Sequence, residues 1–341
     1  MIITRAPLRI SFLGGGTDLP AFYLQKPGRV ISTAIDKYAY VSVHLQPLSK
    51  FVSVRYRETE FVDHPSQLKN DRLREALLHL GITSHVDIAT FSDLPVKTGL
   101  GSSSSFSVAL MKALTLFRGT EADRGEIAEL ASHLEINLVK EPVGKQDQYA
   151  AAFGGINIFQ FNPDHSVDVS PVLVPHEKRL GLEQHLQMFY TGVSRNASSV
   201  LAEQRANTAN KMDTLQKMSD AVFDFKDRLV AGDFCGMGGM LHDGWLLKKT
   251  LASNLSNNVI DNIYQAGMNA GAWGGKLLGA GGGGCLLFMS PAEKKPAVRE
   301  AVIAAAKKNN LEDFAEIPFH FAPHGLEVLL NNGGGDRTSF A

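Results

Sequence analysis

The chain is organised around the segment Leu94-Pro-Val-Lys-Thr-Gly-Leu-Gly-Ser-Ser-Ser-Ser-Phe106. Its two glycines, Gly99 and Gly101, permit positive φ angles and a close approach of the backbone to a ligand. Four serines follow, and apolar residues then recur at helical spacing as far as Phe117. The segment therefore predicts a glycine turn that leads into a helix N-terminus, where free N–H groups and a partial positive charge favour a phosphate.

This Gly/Ser segment also has simpler interpretations. A serine-capped helix after an ordinary turn would carry the same residues, and local spacing alone leaves that alternative open. A Walker A loop is excluded because Gly-x-x-x-x-Gly-Lys-Ser/Thr occurs nowhere in the chain. A dinucleotide-binding fingerprint is excluded as well, because Ser104 stands where the third glycine would be.

The length of 341 residues exceeds what one hydrophobic core usually organises, so two lobes are expected. A segment with prolines and charges, residues 162–182, suggests a boundary near residue 180. We therefore predict an N-terminal lobe over 1–180, a C-terminal lobe over 181–330 and a disordered tail over 331–341.

Charge and cysteine content narrow the class of protein. A net charge of -1 argues against broad nucleic-acid or membrane-surface binding, so any anion site must be local. Cys235 and Cys285 are the only cysteines and provide no disulfide framework. With no signal-peptide core at residues 1–9 and no apolar run of about 18 residues, we predict a cytoplasmic enzyme without a membrane partner.

Hydrophobic patterning predicts alternating strands and helices in both halves. The strands are expected at 8–13, 30–35, 39–45, 52–56, 86–91, 156–161 and 188–191, near Phe319 and Phe321, and at 326–330. The helices are expected at 68–80, after the serines, around 127–138 and over 198–230. Ser290-Pro-Ala-Glu293 has the composition of a capping box with proline at the first helical position.

Three motifs resemble those of one family, the GHMP kinases. Pro95 with Gly99-Leu-Gly-Ser-Ser103 is similar to its phosphate loop, and Lys276-Leu-Leu-Gly-Ala-Gly-Gly-Gly-Gly-Cys285 to its late glycine loop, which closes on the phosphate loop. Arg5-Ala-Pro-Leu-Arg-Ile-Ser-Phe-Leu-Gly-Gly-Gly-Thr-Asp18 resembles its first motif as found in galactokinases. The resemblance implies an α+β, two-lobed GHMP kinase fold, with an N-terminal lobe like ribosomal protein S5 domain 2 and a C-terminal ferredoxin-like α/β lobe.

The resemblance also implies ATP and Mg²⁺ as cofactors. Ser103 matches the magnesium-ligand position, and Glu135 is the helix carboxylate expected to complete the metal site; a solvated helix face is the alternative for Glu135. The residues implied to bind the nucleotide are Pro95, Lys97, Gly99, Leu100, Gly101, Ser102, Ser103, Ser104, Gly281, Gly282 and Gly283.

Two residues are candidates for the chemistry itself. Arg9 falls on the family's basic active-site position, and Asp147, in Gly144-Lys-Gln-Asp147-Gln, on its aspartate-bearing stretch. Phosphoryl transfer needs neutralised charge, in-line positioning and a group near the attacking hydroxyl, which Asp147 could orient or deprotonate. A helix N-cap role for Asp147 is equally compatible with its spacing.

Within the family, the motifs most resemble D-glycero-D-manno-heptose 7-phosphate kinases, which act at the anomeric hydroxyl in nucleotide-activated heptose synthesis for surface polysaccharides. Gly15-Gly16 replaces the Glu-His of galactokinases, which disfavours galactose and leaves room for a larger acceptor. A sugar phosphate needs local cations, and Arg195 helped by Lys145 is the hypothesis for its distal phosphate; both could equally be solvated surface charges. The residues expected to bind the acceptor are Asp18, Gly15, Gly16, Thr17, Lys145 and Arg195.

Other activities are compatible with the same motifs. A fucokinase-like or other sugar 1-kinase is the close alternative. A mevalonate-diphosphate decarboxylase would share the fold, and a kinase-derived, sugar-responsive regulator would be a non-enzyme. Arg9, Ser103, Glu135 and Asp147 together favour the kinases over the regulator, since a pure binder need not keep all four. A homodimer is compatible with the sequence.

Overall fold

The computed structural model describes residues 1–193 and 197–332. Within this part of the chain, two sheets are covered by helices, which confirms the α+β class. The strands are β1 (Ile2–Leu13), β2 (Gly28–Leu45), β3 (Val52–Arg55), β4 (Thr59–Val62), β5 (Val86–Ser92), β6 (Ile156–Phe161), β7 (Val167–Pro171), β8 (Leu186–Tyr190), β9 (Gly274–Leu277), β10 (Cys285–Met289), β11 (Ala315–Glu316) and β12 (Glu327–Asn331).

Over residues 1–193 and 197–332, eleven α-helices connect these strands, and four short helical segments of other types accompany them. The α-helices are α1 (Pro20–Tyr23), α2 (Asp71–His79), α3 (Ser102–Phe117), α4 (Arg124–His133), α5 (Gln146–Phe153), α6 (His176–His185), α7 (Ala197–Asn207), α8 (Met212–Ala231), α9 (Phe234–Lys249), α10 (Asn258–Asn269) and α11 (Lys295–Lys308). The others are 3₁₀-helices at Pro65–Gln67, Thr208–Lys211 and Ala292–Lys294 and a π-helix at Leu134–Leu138. None of the described helices is long and apolar enough to cross a bilayer.

The first sheet has eight strands in the order β12-β1-β2-β5-β3-β4, with β6 on β2 and β7 on β6. Only the β3–β5 pair is parallel. The strands predicted separately at 30–35 and 39–45 form one continuous strand, β2. The reason is that β1 pairs with both halves, through Pro7↔Tyr38 in one and Leu8↔Ile35 in the other, with a register shift between these two pairs.

Helix α3 packs on this sheet and carries the phosphate loop at its N-terminus. Val108, Ala109 and Leu110 are fully buried in the first core, and the Thr4 hydroxyl donates to the Ala109 carbonyl at 2.8 Å. Apolar burial of this kind stabilises a domain by roughly 25 cal/mol per Å². The core therefore holds the helix, and with it the loop, in a fixed position on the sheet.

The second sheet has four antiparallel strands in the order β11-β8-β10-β9. Numbered from β8, this order is fourth-first-third-second, with helices before the second strand and before the fourth. That arrangement is the ferredoxin-like βαββαβ pattern, as the resemblance implied. Strands β9 and β10 flank the late glycine loop, which lies at their ends that face the first sheet.

Several sequence predictions of local structure need correction. Ser290 forms no capping box, because Pro291 and not Ser290 is the N-cap residue of the helical turn that follows. Pro296 lies in the first turn of α11 and starts that helix. The helical region predicted over 198–230 is broken by the 3₁₀ segment between α7 and α8. Around Phe321, only a single bridge to Ile35 forms.

Asn331, the first residue of the predicted tail, is the last residue of strand β12. It pairs with Ile2 of β1. The remainder of the predicted tail, 333–341, lies outside the described residues.

Candidate active site

The predicted phosphate loop lies at the start of α3, as expected. Gly99 and Gly101 have φ angles of 77° and 75°, and Gly101 is the N-cap residue of the helix. Ser103 is exposed there, whereas Ser102 and Ser104 are buried. The loop and the helix end form one wall of a cavity of about 420 Å³. The free N–H groups of the first helical turn therefore belong to this wall.

Most of the loop residues predicted to bind the nucleotide line this cavity. Pro95 and Leu100 are the exceptions among them. Leu100 is fully buried in the second core, and its carbonyl accepts a hydrogen bond from the Arg9 backbone at 2.9 Å. The lining residues of the loop are Val96, Lys97, Gly99, Gly101, Ser102, Ser103 and Ser104.

Arg9 and Asp147 form a bidentate ion pair in the cavity wall. Arg9 Nε donates to Asp147 Oδ1 and Nη2 donates to Oδ2, each at 2.7 Å, and Nη1 donates to the Gly99 carbonyl at 2.7 Å. Paired bonds of this geometry fix the carboxylate in direction as well as in position. Asp147 lies in the first turn of α5, so the structure brings the first motif, the phosphate loop and the aspartate-bearing stretch together.

Asp18 lies beside this pair and is held by Gln146. Gly16 N–H donates to Asp18 Oδ1 at 3.0 Å, and Gln146 Nε2 donates to the same oxygen at 2.9 Å. The Ser11 hydroxyl donates to Gln146 Oε1 at 3.0 Å and so fixes the amide orientation. Burial first, and then the nearby Asp147 carboxylate, raise the pKa of Asp18. Gln146 lies within the matched stretch around Asp147, but the sequence alone indicates no role for it.

Two of the residues predicted to bind the acceptor do not line the cavity. Lys145 Nζ donates to both carboxylate oxygens of Glu129, at 2.8 and 2.9 Å, and to the His165 carbonyl, because its side chain leaves α5 toward α4. The Thr17 hydroxyl is fully buried and bonds the Gly14 and Arg29 backbones. Both predictions were therefore wrong in placement. Gly15, Gly16 and Asp18 line the cavity. Arg195 lies outside the described residues.

The late glycine loop packs directly on the phosphate loop. A Cβ atom on Gly99 would lie 2.5 Å from the Leu278 carbonyl oxygen, and one on Gly279 would lie 2.5 Å from Gly99 Cα. Cys285 N–H donates to the Thr98 carbonyl at 2.9 Å. The predicted contact between the two loops is confirmed.

The particular glycines predicted to face the nucleotide need correction. Gly279 and Ala280 line the cavity, whereas Gly281, Gly282 and Gly283 do not. Gly281 and Gly282 pack on Leu255, and Gly283 packs on Val193, so the middle of the loop is used to seat it on its own lobe.

Glu135 is fully buried in the π-helix that follows α4. Its Oε2 accepts hydrogen bonds from the Ser104 hydroxyl at 3.0 Å and from Gln148 Nε2 at 2.8 Å. Its Oε1 has no hydrogen-bond partner among the described residues, and Arg72 Nε is 3.8 Å away. Burial raises the pKa of Glu135, and the Arg72 guanidinium opposes that effect. Glu135 does not line the cavity, but its Oε1, which has no hydrogen bond and lies in ion-pair distance of Arg72, is a candidate ligand for a cation.

Several further polar residues of the cavity wall were given no role from sequence, among them Lys248, Lys276 and Gln204. Gln204 is 3% exposed and its Nε2 has no partner among the described residues. Charged groups in the wall total five cations and three anions, a formal excess of two positive charges in a chain of net charge -1. They are Arg9, Arg72, Lys97, Lys248 and Lys276 against Asp18, Glu141 and Asp147.

This chain is similar to known proteins both in sequence and in structure. A D-glycero-alpha-D-manno-heptose 7-phosphate kinase of Campylobacter jejuni is 27% identical over 307 residues, covering 86% of this chain and 91% of the relative. A bifunctional fucokinase/GDP-fucose pyrophosphorylase of Arabidopsis thaliana is 27% identical over 323 residues, covering 86% of this chain but only 30% of that protein.

A crystal structure described as a D-glycero-D-manno-heptose 1-phosphate kinase from Bacteriodes thetaiotaomicron superposes with a TM-score of 0.78 at 24% identity, covering 97% of this chain and 99% of the other. This likeness establishes the two-lobed fold. The model of the GHMP kinases N terminal domain matches residues 70–155, and that of the GHMP kinases C terminal domain matches 226–309. With the three motifs meeting in one cavity, the chain belongs to the GHMP kinase family and is an ATP-dependent kinase.

Proposed function

We propose that this ATP-dependent sugar kinase phosphorylates the anomeric hydroxyl of D-glycero-D-manno-heptose 7-phosphate to give the 1,7-bisphosphate. The observation that carries the proposal is the cavity itself, in which the Arg9–Asp147 pair faces a phosphate loop within a wall of excess positive charge. An acceptor that already carries a phosphate brings negative charge that such a wall would offset. The similarity to the Campylobacter jejuni enzyme supports the same acceptor.

The reaction joins the anomeric oxygen to the γ-phosphorus of ATP and breaks the bond from that phosphorus to the ADP oxygen. Asp147 accepts a hydrogen bond from the attacking hydroxyl and takes its proton as the new bond forms. Arg9 keeps the Asp147 carboxylate in place through two hydrogen bonds and lies beside the phosphate loop through its bond to Gly99. Asp18, fixed by Gln146, holds ring hydroxyls of the acceptor.

Mg²⁺ would be held by Ser103 and Glu135 together with phosphate oxygens. The fit rests on the unpartnered Glu135 Oε1 and on the exposure of Ser103 at the cavity. Hard oxygen ligands and few protein contacts are what this ion prefers. When bound, it neutralises charge on the transferring phosphoryl group. Ser104 supports the site from behind, because its hydroxyl bonds the other oxygen of Glu135.

The metal assignment predicts a shift in the Mg²⁺ requirement. Glu135→Gln and Ser103→Ala should each raise the Mg²⁺ concentration for half-maximal rate, with a smaller effect on the KM for the sugar. Initial rates over a Mg²⁺ titration at fixed sugar and ATP measure the effect. Glu121→Gln, which alters an exposed carboxylate, is the control. Unchanged Mg²⁺ curves for both site variants would remove these residues from the metal site.

The acceptor is tested on the wild-type enzyme. ADP release with heptose 7-phosphate, mannose 6-phosphate, mannose, fucose and galactose should give the highest kcat/KM for heptose 7-phosphate. Two further assays test the decarboxylase alternative. One contains no sugar, and the other contains mevalonate diphosphate and also measures CO₂ release. No ADP release with any compound would support the regulator instead.

The fucokinase alternative has an observation of its own. A second cavity of about 140 Å³ adjoins the first, and its wall includes Leu13, Met218, Met240 and Leu247. Apolar side chains of this kind suit a methyl group such as that of a 6-deoxy sugar. If fucose surpasses every phosphorylated sugar in the panel, the heptose assignment is wrong and this alternative replaces it. A cytoplasmic location, a homodimer and a place in polysaccharide synthesis stay predictions.

A further inference from the structure

Lys248 is a buried cation with most of its hydrogen-bonding capacity unused. It lies in the last turn of α9 and is 6% exposed. Its Nζ donates to the Gly279 carbonyl, and no other acceptor within the described residues contacts it. An ammonium group carries three donors, so two remain for a ligand in the cavity that this residue lines.

The other buried cations of the cavity are more fully engaged. Lys276 Nζ donates to the carbonyls of Ser11 and Phe12, at 2.8 and 2.6 Å. Arg9 is committed to Asp147 and to Gly99. Lys248 is therefore the buried cation of this wall with the largest share of its donors unused, two of three.

Lys248 lies between the two cavities, and its Nζ bonds Gly279 of the late glycine loop. It also lines the smaller apolar cavity, together with Gly14 and Gly15 of the first motif and with Lys276. No residue of the phosphate loop borders that smaller cavity. A ligand group that enters the smaller cavity could therefore reach Lys248 beside Gly15 without contacting the phosphate loop.

The negative charges around Lys248 compensate the charge of its ammonium form only in part. Burial, and next the Arg9 guanidinium, lower the pKa of Lys248 to about 8, while Asp18 and Asp147 oppose that effect. Burial, and next the Lys248 and Arg9 charges, lower the pKa of Lys276 well below its ordinary value. The exposed Asp243 faces the smaller cavity from the same helix as Lys248. A buried charge without a full set of partners is costly, and an arriving anion would reduce that cost.

We propose that Lys248 binds the distal phosphate of the acceptor and sets the preference for a phosphorylated over an unphosphorylated sugar. The inference rests on the proposed function and replaces Lys145 in the hypothesis drawn from sequence. The two carboxylates nearest the reacting centre, Asp18 and Asp147, are then left for the ring hydroxyls and the attacking oxygen.

The test compares phosphorylated and unphosphorylated acceptors in one variant. Lys248→Met should raise the KM for heptose 7-phosphate about ten- to a hundredfold, the range of one charge-assisted hydrogen bond. The KM for ATP and the KM for unphosphorylated heptose should change less than about twofold. Lys248→Arg should restore most of the lost affinity, since it retains the charge.

Lys249→Met is the matched control, because the adjacent Lys249 points elsewhere and pairs with Asp261 at 2.7 Å. It should leave every kinetic constant near its wild-type value, as partly exposed pairs contribute little. Thermal unfolding of each variant checks that it is folded.

The pH dependence of the wild-type enzyme gives a second test. The KM for heptose 7-phosphate should rise above pH 8 by as much as tenfold per pH unit, because the Lys248 ammonium loses its proton.

The outcomes separate this inference from the proposed function. If wild type prefers heptose 7-phosphate but Lys248→Met raises the KM for ATP, or affects both acceptors equally, the Lys248 assignment is wrong and the kinase function stands. A flat KM for heptose 7-phosphate between pH 7.5 and 9 would also contradict the assignment. If wild type prefers unphosphorylated sugars, the proposed acceptor fails and the assignment fails with it.

Discussion

Asp147→Asn should leave ATP binding nearly unchanged and reduce kcat by at least about 10²–10⁴-fold, the contribution typical of a positioned acid or base. The amide can still accept one hydrogen bond from Arg9, so the cavity wall should keep its shape. It cannot take the proton of the attacking hydroxyl. Initial-rate kinetics at saturating ATP and sugar, with nucleotide affinity measured separately, give both quantities.

The control for this substitution is Asp213→Asn. Asp213 also lies in the first turn of a helix, α8, but it is exposed and does not line the cavity. Its replacement should leave kcat unchanged. The N-cap alternative is wrong, because Lys145 is the N-cap residue of α5. An Asp147→Asn enzyme that retains near-full kcat would therefore remove Asp147 from the chemical step.

Gly99→Ala should both destabilise the protein and weaken ATP binding. The residue has a φ of 77°, which costs alanine about 1–2 kcal/mol. The added Cβ would also lie 2.5 Å from the Leu278 carbonyl oxygen, and relieving such overpacking typically costs a further ~1–3 kcal/mol. Since the late glycine loop must then move off the phosphate loop, the KM for ATP should rise as the thermal midpoint falls.

Gly119→Ala separates the two causes. Gly119 has nearly the same φ, 76°, but no atom lies within 4 Å of its Cβ position. It should therefore show only the cost of the backbone angle and no change in the KM for ATP. If the two variants lose equal stability and Gly99→Ala keeps its ATP affinity, the loop contact has no role in the nucleotide site.

The features predictable from sequence were those with a strong local signal. Two glycines as close together as Gly99 and Gly101 indicate a turn in any sequence. Asp147 lies in a short stretch that matches a motif of the family. The strand predicted at 156–161 was found with those bounds. These residues act largely through their own backbone or their immediate neighbours, so the pattern alone indicates them.

The features that sequence could not predict depend on partners distant in the chain. Lys248 and Lys249 are adjacent in one helix, yet one enters the cavity and the other pairs with Asp261. Lys145 precedes two cavity residues but turns away because Glu129 of α4 offers it a carboxylate. Tertiary packing alone decides which of two neighbouring lysines is buried, and the composition of the chain does not indicate which one that is.

The pairing of β12 with β1 has a consequence for how the protein reaches its native state. Ile2 pairs with Asn331, and Arg5 bonds Glu327 at 2.8 Å, so the outer edge of the first sheet is completed by residues from the far end of the chain. Contacts of such sequence separation form slowly. Until they form, β1 exposes a row of unpaired N–H and C=O groups that can recruit another molecule. A fragment ending near residue 180 would retain that open edge, and self-association would compete with its folding.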